Sequence, residues 1–212
     1  MTRIKICGIT NLEDARWAAE CGADAIGFVF AESPRQIEAE RARDILRGLG
    51  PLVTAVGVFV DRGVEEVRRA LEVSGCGVAQ LHGSEPPEYI EQLAPYAVVK
   101  VIRVRGALAL DESGIGRYKG ARAILLDTYV AGSAGGTGER FDPALASRLV
   151  QEGWRVIVAG GLTAESVSEV VVSVRPYGVD VSTGVETTPG RKDHEKVARF
   201  IDAVRAADRG LY

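Results

Sequence analysis

The chain has 212 residues, 46% of them hydrophobic and spread evenly, and no proline- or serine-rich linker interrupts it, which predicts one domain over residues 1–212. Its 26 basic and 29 acidic residues are intermixed, leaving a net charge of −3 without the basic stripe that nucleic-acid binding needs. No apolar run approaches the roughly 20 residues that span a bilayer, and "MTRIKICGIT" lacks a secretory apolar segment; the expectation is a soluble, cytoplasmic protein with neither nucleic acid nor membrane as a partner. Cys7, Cys21 and Cys76 lie far apart and the only histidines are His82 and His194, so neither a disulfide framework nor a metal site is expected.

In chain order, short β-branched runs alternate with stretches of helical periodicity, the pattern of repeated βα units around a parallel sheet. The predicted strands are "IKIC" (4–7), "AIGFVF" (25–30), "VTAVGVFV" (53–60), "GVAQLH" (77–82), "AVVKVIRV" (97–104), "AILLD" (123–127), "RVIVAG" (155–160) and "GVDVS" (178–182). Each is nearly continuously apolar, as strands covered on both faces are. The predicted helices are "NLEDARWAAECG" with Asn11 as N-cap and Gly22 as stop, "EAERARDILRGLG", "VEEVRRALEVSG", "PPEYIEQLAP", "DPALASRLVQEG", "TAESVSEVVVSV" and "DHEKVARFIDAVRAA". A fifth connecting helix is placed within 106–117, where "GALALDESGIG" is broken by glycine. Eight units in this length fit a small (β/α)8 TIM barrel, with a doubly wound open sheet as the alternative, since periodicity does not report closure.

In both folds ligands bind at the carboxyl ends of the strands, so the polar residues there are the candidates. Side chains two apart share a strand face, which groups Lys5 with Cys7, Gln80 with His82, and Asp180 with Ser182, while Asp127 ends the sixth strand. A free cysteine is commonly a small buried hydrophobe, and Cys21 and Cys76 at helix ends fit that role. Cys7, before Gly8 at a strand end, is instead a candidate general base if its surroundings lower its pKa toward neutrality. Asp127 either caps loop amides or, in a partly closed mouth, has a raised pKa and donates a proton. The glycine-bearing ends "AGGLT" and "STGVE", neighbours in a closed barrel, together with a short helix starting near Thr183, predict a phosphate site. The long loop "TYVAGSAGGTGERF" is a candidate lid. Arg35 in "AESPRQ" follows the second strand on the same rim, where a guanidinium suits a carboxylate or an aromatic ring.

Taken in order, "KICGIT", "GFVF", "SPR", "VGVFV", "QLHG", "LLDTYV", "GGTGERFD", "VAGGLT", "VDVSTGVE" and "GRKD" resemble one family over nearly the whole chain, phosphoribosylanthranilate isomerase of tryptophan biosynthesis. The resemblance implies a TIM barrel without metal or organic cofactor, a small sugar-phosphate substrate, and a monomer or homodimer. It implies an Amadori rearrangement with Cys7 as general base and Asp127 as general acid, Arg35 on the anthranilate carboxylate, His82 and Asp180 lining the site, and Gly160, Gly161, Ser182, Thr183 and Gly184 in the phosphate loops. Thr183 stands where the family more often has a second serine, and the segment from Phe30 to Arg35 is shorter than in some members. Other phosphate-binding barrels, such as indole-glycerol-phosphate synthase or the histidine-pathway isomerase, resemble the chain around the phosphate loops but would carry catalytic lysine and glutamate, or an aspartate in place of Cys7. A non-catalytic sugar-phosphate sensor would need neither Cys7 nor Asp127.

Overall fold

Eight β-branched runs become eight strands, β1 (Arg3–Cys7), β2 (Ala25–Val29), β3 (Thr54–Phe59), β4 (Val78–Leu81), β5 (Ala97–Val104), β6 (Ala123–Thr128), β7 (Val156–Ala159) and β8 (Gly178–Val181). In the computed structural model, which describes residues 1–104, 114–128 and 143–211, each pairs in parallel with its sequence neighbour and β8 pairs with β1, closing the barrel. Closure removes the open-sheet alternative. The helices are α1 (Leu12–Glu20), α2 (Ala39–Arg47), α3 (Val64–Ser74), α4 (Glu88–Gln92), α5 (Pro143–Gln151), α6 (Val167–Val174) and α7 (His194–Arg209). Among the described residues, no helix is long and apolar enough to cross a membrane.

Strand alternation sorts the side chains into two layers. Ile4 and Ile6 of β1, Ile26 and Phe28 of β2, Ile124 and Leu126 of β6, and Val156 and Val158 of β7 face the helices and belong to one large apolar cluster. The opposite faces meet inside the barrel, where Val99, Val101, Ala123, Leu125 and Ala159 form a second, smaller cluster. Lys5, Gln80 and Asp180 are buried on that inner face beside cysteine and small residues. An interior filled for packing alone would be aliphatic throughout, as barrel cores usually are.

Local chemistry explains most element ends. The Asn11 side chain accepts the amide of Asp14 at 2.8 Å and starts α1, and Asp193 does the same for Lys196 at 3.1 Å at the start of α7. Gly75 takes a left-handed φ of 81° and stops α3. The connection expected as a helix within 106–117 has only a 3₁₀ turn, Ile115–Tyr118, in its described part, because the preceding Gly114 is left-handed at φ 62°; residues 105–113 lie outside the description. The helix expected from Thr163 begins at Val167, since Ser166 Oγ accepts the Thr163 amide at 3.0 Å and holds the first residues in a turn. α1 ends at Glu20 with Cys21 as C-cap, and Gly22, left-handed at φ 102°, stops it as expected, the Gly22 and Ala23 amides donating to the Ala19 and Ala18 carbonyls at 3.0 Å. A hairpin of β9 (Glu186–Thr188) and β10 (Arg191–Lys192) follows β8, where no element was expected; Pro189-Gly190, with Gly190 at φ 80°, is the turn signal that marks it.

Candidate active site

At the carboxyl end of β1 the chain must turn sharply while other side chains press against it. Gly8 has φ 76°, a conformation glycine adopts without strain, and a Cβ there would lie 2.6 Å from Arg35 Cδ and 3.0 Å from Ser182 Oγ. Gly8 therefore allows the residues after β2 and β8 to crowd against Cys7. Its amide and that of Ile9 both donate to the Gly27 carbonyl at 3.0 Å, fixing the turn to β2.

Lys5 and Asp180 are in register on β1 and β8, and their side chains form a buried ion pair of 2.9 Å. Cys7 lies two residues further along the same face. Burial pushes the Cys7 thiol above its ordinary value; the positive charge of Lys5 opposes that rise, Asp180 reinforces it, and Lys192 opposes it more weakly. This corrects the expectation of a thiol lowered toward neutrality, because the loss of hydration outweighs the neighbouring cations.

Across the mouth, Asp127 Oδ2 shares a hydrogen bond of 3.1 Å with His82 Nε2. His82 continues the β4 ladder by donating its amide to Phe59 O at 2.8 Å, and Arg103 Nη2 donates to the His82 carbonyl at 3.1 Å. Going round the ring, β6 is separated from β1 by β7 and β8, so Cys7 and Asp127 flank the mouth obliquely rather than from opposite sides. The predicted lid, residues 128–141, starts at the last residue of β6, and the rest of it lies outside the described residues.

Arg35 is fixed by a carboxylate far away in sequence. Its Nε lies 2.8 Å from Glu186 Oε1 and its Nη2 2.6 Å from Oε2, a bidentate fork, and Lys192 Nζ reaches Glu186 Oε1 at 2.9 Å. Burial works to raise the Glu186 carboxyl, but the two cations overcome it and hold the group below its ordinary range. Glu186, Lys192 and Arg103 were not singled out from the sequence. The first two stand in the quoted stretches "STGVE" and "GRKD", so the signal was present, but nothing local says that Arg35 will meet Glu186 151 residues later.

After β7, Gly160 and Gly161 are both left-handed, at φ 90° and 63°, and double the chain back. A Cβ on Gly184 would collide with the Leu162 carbonyl oxygen, so the loops after β7 and β8 interlock without side chains between them. Thr183–Val185 forms a single 3₁₀ turn at that junction. Cys7, Arg35, His82, Asp127, Gly160, Gly161, Asp180, Ser182, Thr183 and Gly184 all line one cavity of about 390 Å³, within the range of small-ligand sites. It offers a thiol, a carboxyl, a guanidinium and a glycine-built cradle to one bound molecule.

The chain matches, over residues 4–203, the family model described as N-(5'phosphoribosyl)anthranilate (PRA) isomerase. A relative from Geobacter sp. (strain M21), named N-(5'-phosphoribosyl)anthranilate isomerase, is 51% identical over 202 residues, covering 95% of this chain and 97% of its own length. The solved phosphoribosyl anthranilate isomerase of Thermus thermophilus superposes with a TM-score of 0.86 at 43% identity, covering 97% of this chain and 99% of that one. A further solved isomerase of the same name, in complex with reduced 1-(o-carboxyphenylamino)-1-deoxyribulose 5-phosphate, has a TM-score of 0.82 at 37% identity and covers 97% of this chain and 100% of that one. With a barrel closed in the same order and a family match spanning nearly its whole length, the chain belongs to the N-(5'-phosphoribosyl)anthranilate isomerase family.

Proposed function

We propose that the chain converts N-(5-phosphoribosyl)anthranilate to 1-(2-carboxyphenylamino)-1-deoxyribulose 5-phosphate in tryptophan biosynthesis, with Asp127 as general acid and Cys7 as general base. The observation that carries this reading is the convergence of ten residues from six strand ends and the loops that follow them on one cavity at the carboxyl mouth. Asp127 protonates the furanose ring oxygen, and the ring opens to an iminium. Cys7, as thiolate, then removes the proton from C2', leaving an enolamine that tautomerises to the ketose. The His82–Asp127 hydrogen bond of 3.1 Å fixes the orientation of the carboxyl beside the cavity.

Arg35 serves the anthranilate carboxylate. Glu186 occupies its Nε and one edge of Nη2, which aims the remaining N–H groups without using all five. The phosphate lies at the interlocked loops of Gly160–Gly161 and Ser182–Gly184, with the Thr183 hydroxyl in place of a serine, and His82 and Asp180 line the space between the two ends.

Turnover of phosphoribosylanthranilate, generated in situ from anthranilate and phosphoribosyl pyrophosphate by a transferase, tests the assignment. Cys7→Ala and Asp127→Asn should each lower kcat by at least ~100-fold with smaller changes in KM. Near-wild-type turnover in either variant removes that residue from its role. Ligand binding without turnover by the wild-type chain would point to the sensor instead.

A further inference from the structure

The thiol of Cys7 is buried, and a base must be unprotonated when it acts, so something in the barrel has to favour sulfur's negative form. The groups that face it come from five elements. They are Lys5 on β1 itself, Asp180 on β8, Arg35 after β2, and Lys192 on β10 with Glu186 of β9 between the last two. Arg35 and Lys192 share one carboxylate, Glu186, which accepts from both. Lys5 is placed differently. A Cβ on Gly27 would lie 2.8 Å from Cys7 Sγ and 2.9 and 3.0 Å from Cε and Nζ of Lys5, so thiol and ammonium together fill the space that any larger residue at position 27 would take.

Asp180 holds the ammonium there through one oxygen, at 2.9 Å. Its other oxygen, Oδ1, is the sole buried side-chain polar atom among the described residues without a hydrogen-bond partner. A pair made for stability would have satisfied it. Lys5 itself lines a separate cavity at the amino end of the barrel, beneath the mouth, so it meets the reaction only through its neighbours.

We propose that Lys5 is a positioning residue of the reaction: its ammonium is the counter-charge of the Cys7 thiolate, held against sulfur by Asp180. The proposal rests on the reading of Cys7 as the base. Burial works against the charge on Lys5, but Asp180 and Cys7 together outweigh it and favour the ammonium. Lys5 acts on the thiol more strongly than Asp180 does, so the pair as a whole favours the thiolate.

The two halves of the pair should therefore act on sulfur with opposite signs, which a packing role would not produce. The test is the rate of Cys7 alkylation by iodoacetamide as a function of pH, resolved by peptide mass spectrometry so that Cys21 and Cys76 are read separately, in the full chain without ligand. Lys5→Met should raise the midpoint of Cys7 alkylation by about one pH unit or more, a tenfold loss of thiolate below the midpoint, and Asp180→Asn should lower it. If Lys5→Met does not fold, the double variant Lys5→Met/Asp180→Asn compared with Asp180→Asn gives the same effect of Lys5 with no carboxylate left stranded. Shifts in the same direction, or no shift on loss of Lys5, overturn the proposal. The alkaline rise of kcat/KM should follow the alkylation midpoint in each variant that folds; a profile that stays put while the midpoint moves also overturns it. Retained turnover in Cys7→Ala would sink the base assignment, a result on which the alkylation midpoints do not depend.

Discussion

Two of the buried lysine–carboxylate pairs in this barrel, Lys100–Glu85 and Lys5–Asp180, do different work. Lys100, on the helix-facing side of β5, donates to Glu85 Oε2 and the Gly83 carbonyl, both at 2.7 Å, and to the Leu81 carbonyl at 3.4 Å. Glu85 accepts the amides of Asp61 and Gly83, and Tyr118 donates its hydroxyl to the Glu85 carbonyl at 3.2 Å while its ring faces the ammonium. All the polar atoms of this pair are partnered, and the pair ties the turn after β4, which carries His82, to β5. Lys5–Asp180, on the inner face, leaves Asp180 Oδ1 unpaired. Lys100–Glu85 ties two elements together with its side-chain polar atoms partnered, whereas Lys5–Asp180 leaves one carboxylate oxygen without a partner on the face that carries Cys7.

If that distinction is right, disrupting the two pairs should register in different measurements. The largest effect should come from Lys100→Met, which strands a buried carboxylate and should cost about 3–5 kcal/mol in urea unfolding. A loss under ~1 kcal/mol would mean that the pair is hydrated and the contrast is false. Asp180→Asn should cost less, about 1–3 kcal/mol, because one of its oxygens makes no bond to lose.

Arg35→Lys sharpens the contrast from a third cluster, which is both satisfied and at the mouth. A lysine cannot reproduce the fork on Glu186, so KM should rise roughly tenfold with a smaller change in kcat. An unchanged KM would separate Arg35 from the carboxylate. The pH dependence follows from the direction of the Cys7 shift: burial raises the folded thiol, the thiolate fraction grows as pH rises, and kcat/KM should climb into the alkaline range up to the thiol's titration. A flat profile there would exclude a titrating thiol as the base. Thr183→Ser should be the mildest change, within about twofold in KM, since the hydroxyl remains; a large effect would give the methyl group a part in shaping the phosphate cradle.

Particular residues show where reading from sequence succeeds. Lys5, Cys7, Gln80, His82 and Asp180 were grouped by alternation alone, and the barrel places Lys5, Gln80 and Asp180 on its inner face with Cys7 and His82 at its mouth. The glycines at 160, 161 and 184 were legible as loop formers, and their φ values and close contacts give the reason. Glu186 and Lys192 escaped notice, since a carboxylate and an ammonium after the last strand look like ordinary surface charges until Arg35 arrives from the second βα loop. The hairpin that carries them was missed because its strands, three and two residues long, are too short for periodicity to register.

The sequence by itself determined which runs become the barrel strands, which residues share a face, and that the polar ones gather at one end, because those properties have a period of two residues and need only local chain geometry. Tertiary structure decided that β8 closes onto β1, that Arg35 meets Glu186, which Lys192 also binds, and that the Cys7 thiol is raised rather than lowered. Each of these depends on how much water is excluded and on which charges from distant segments come within a few ångströms, and no local pattern records either.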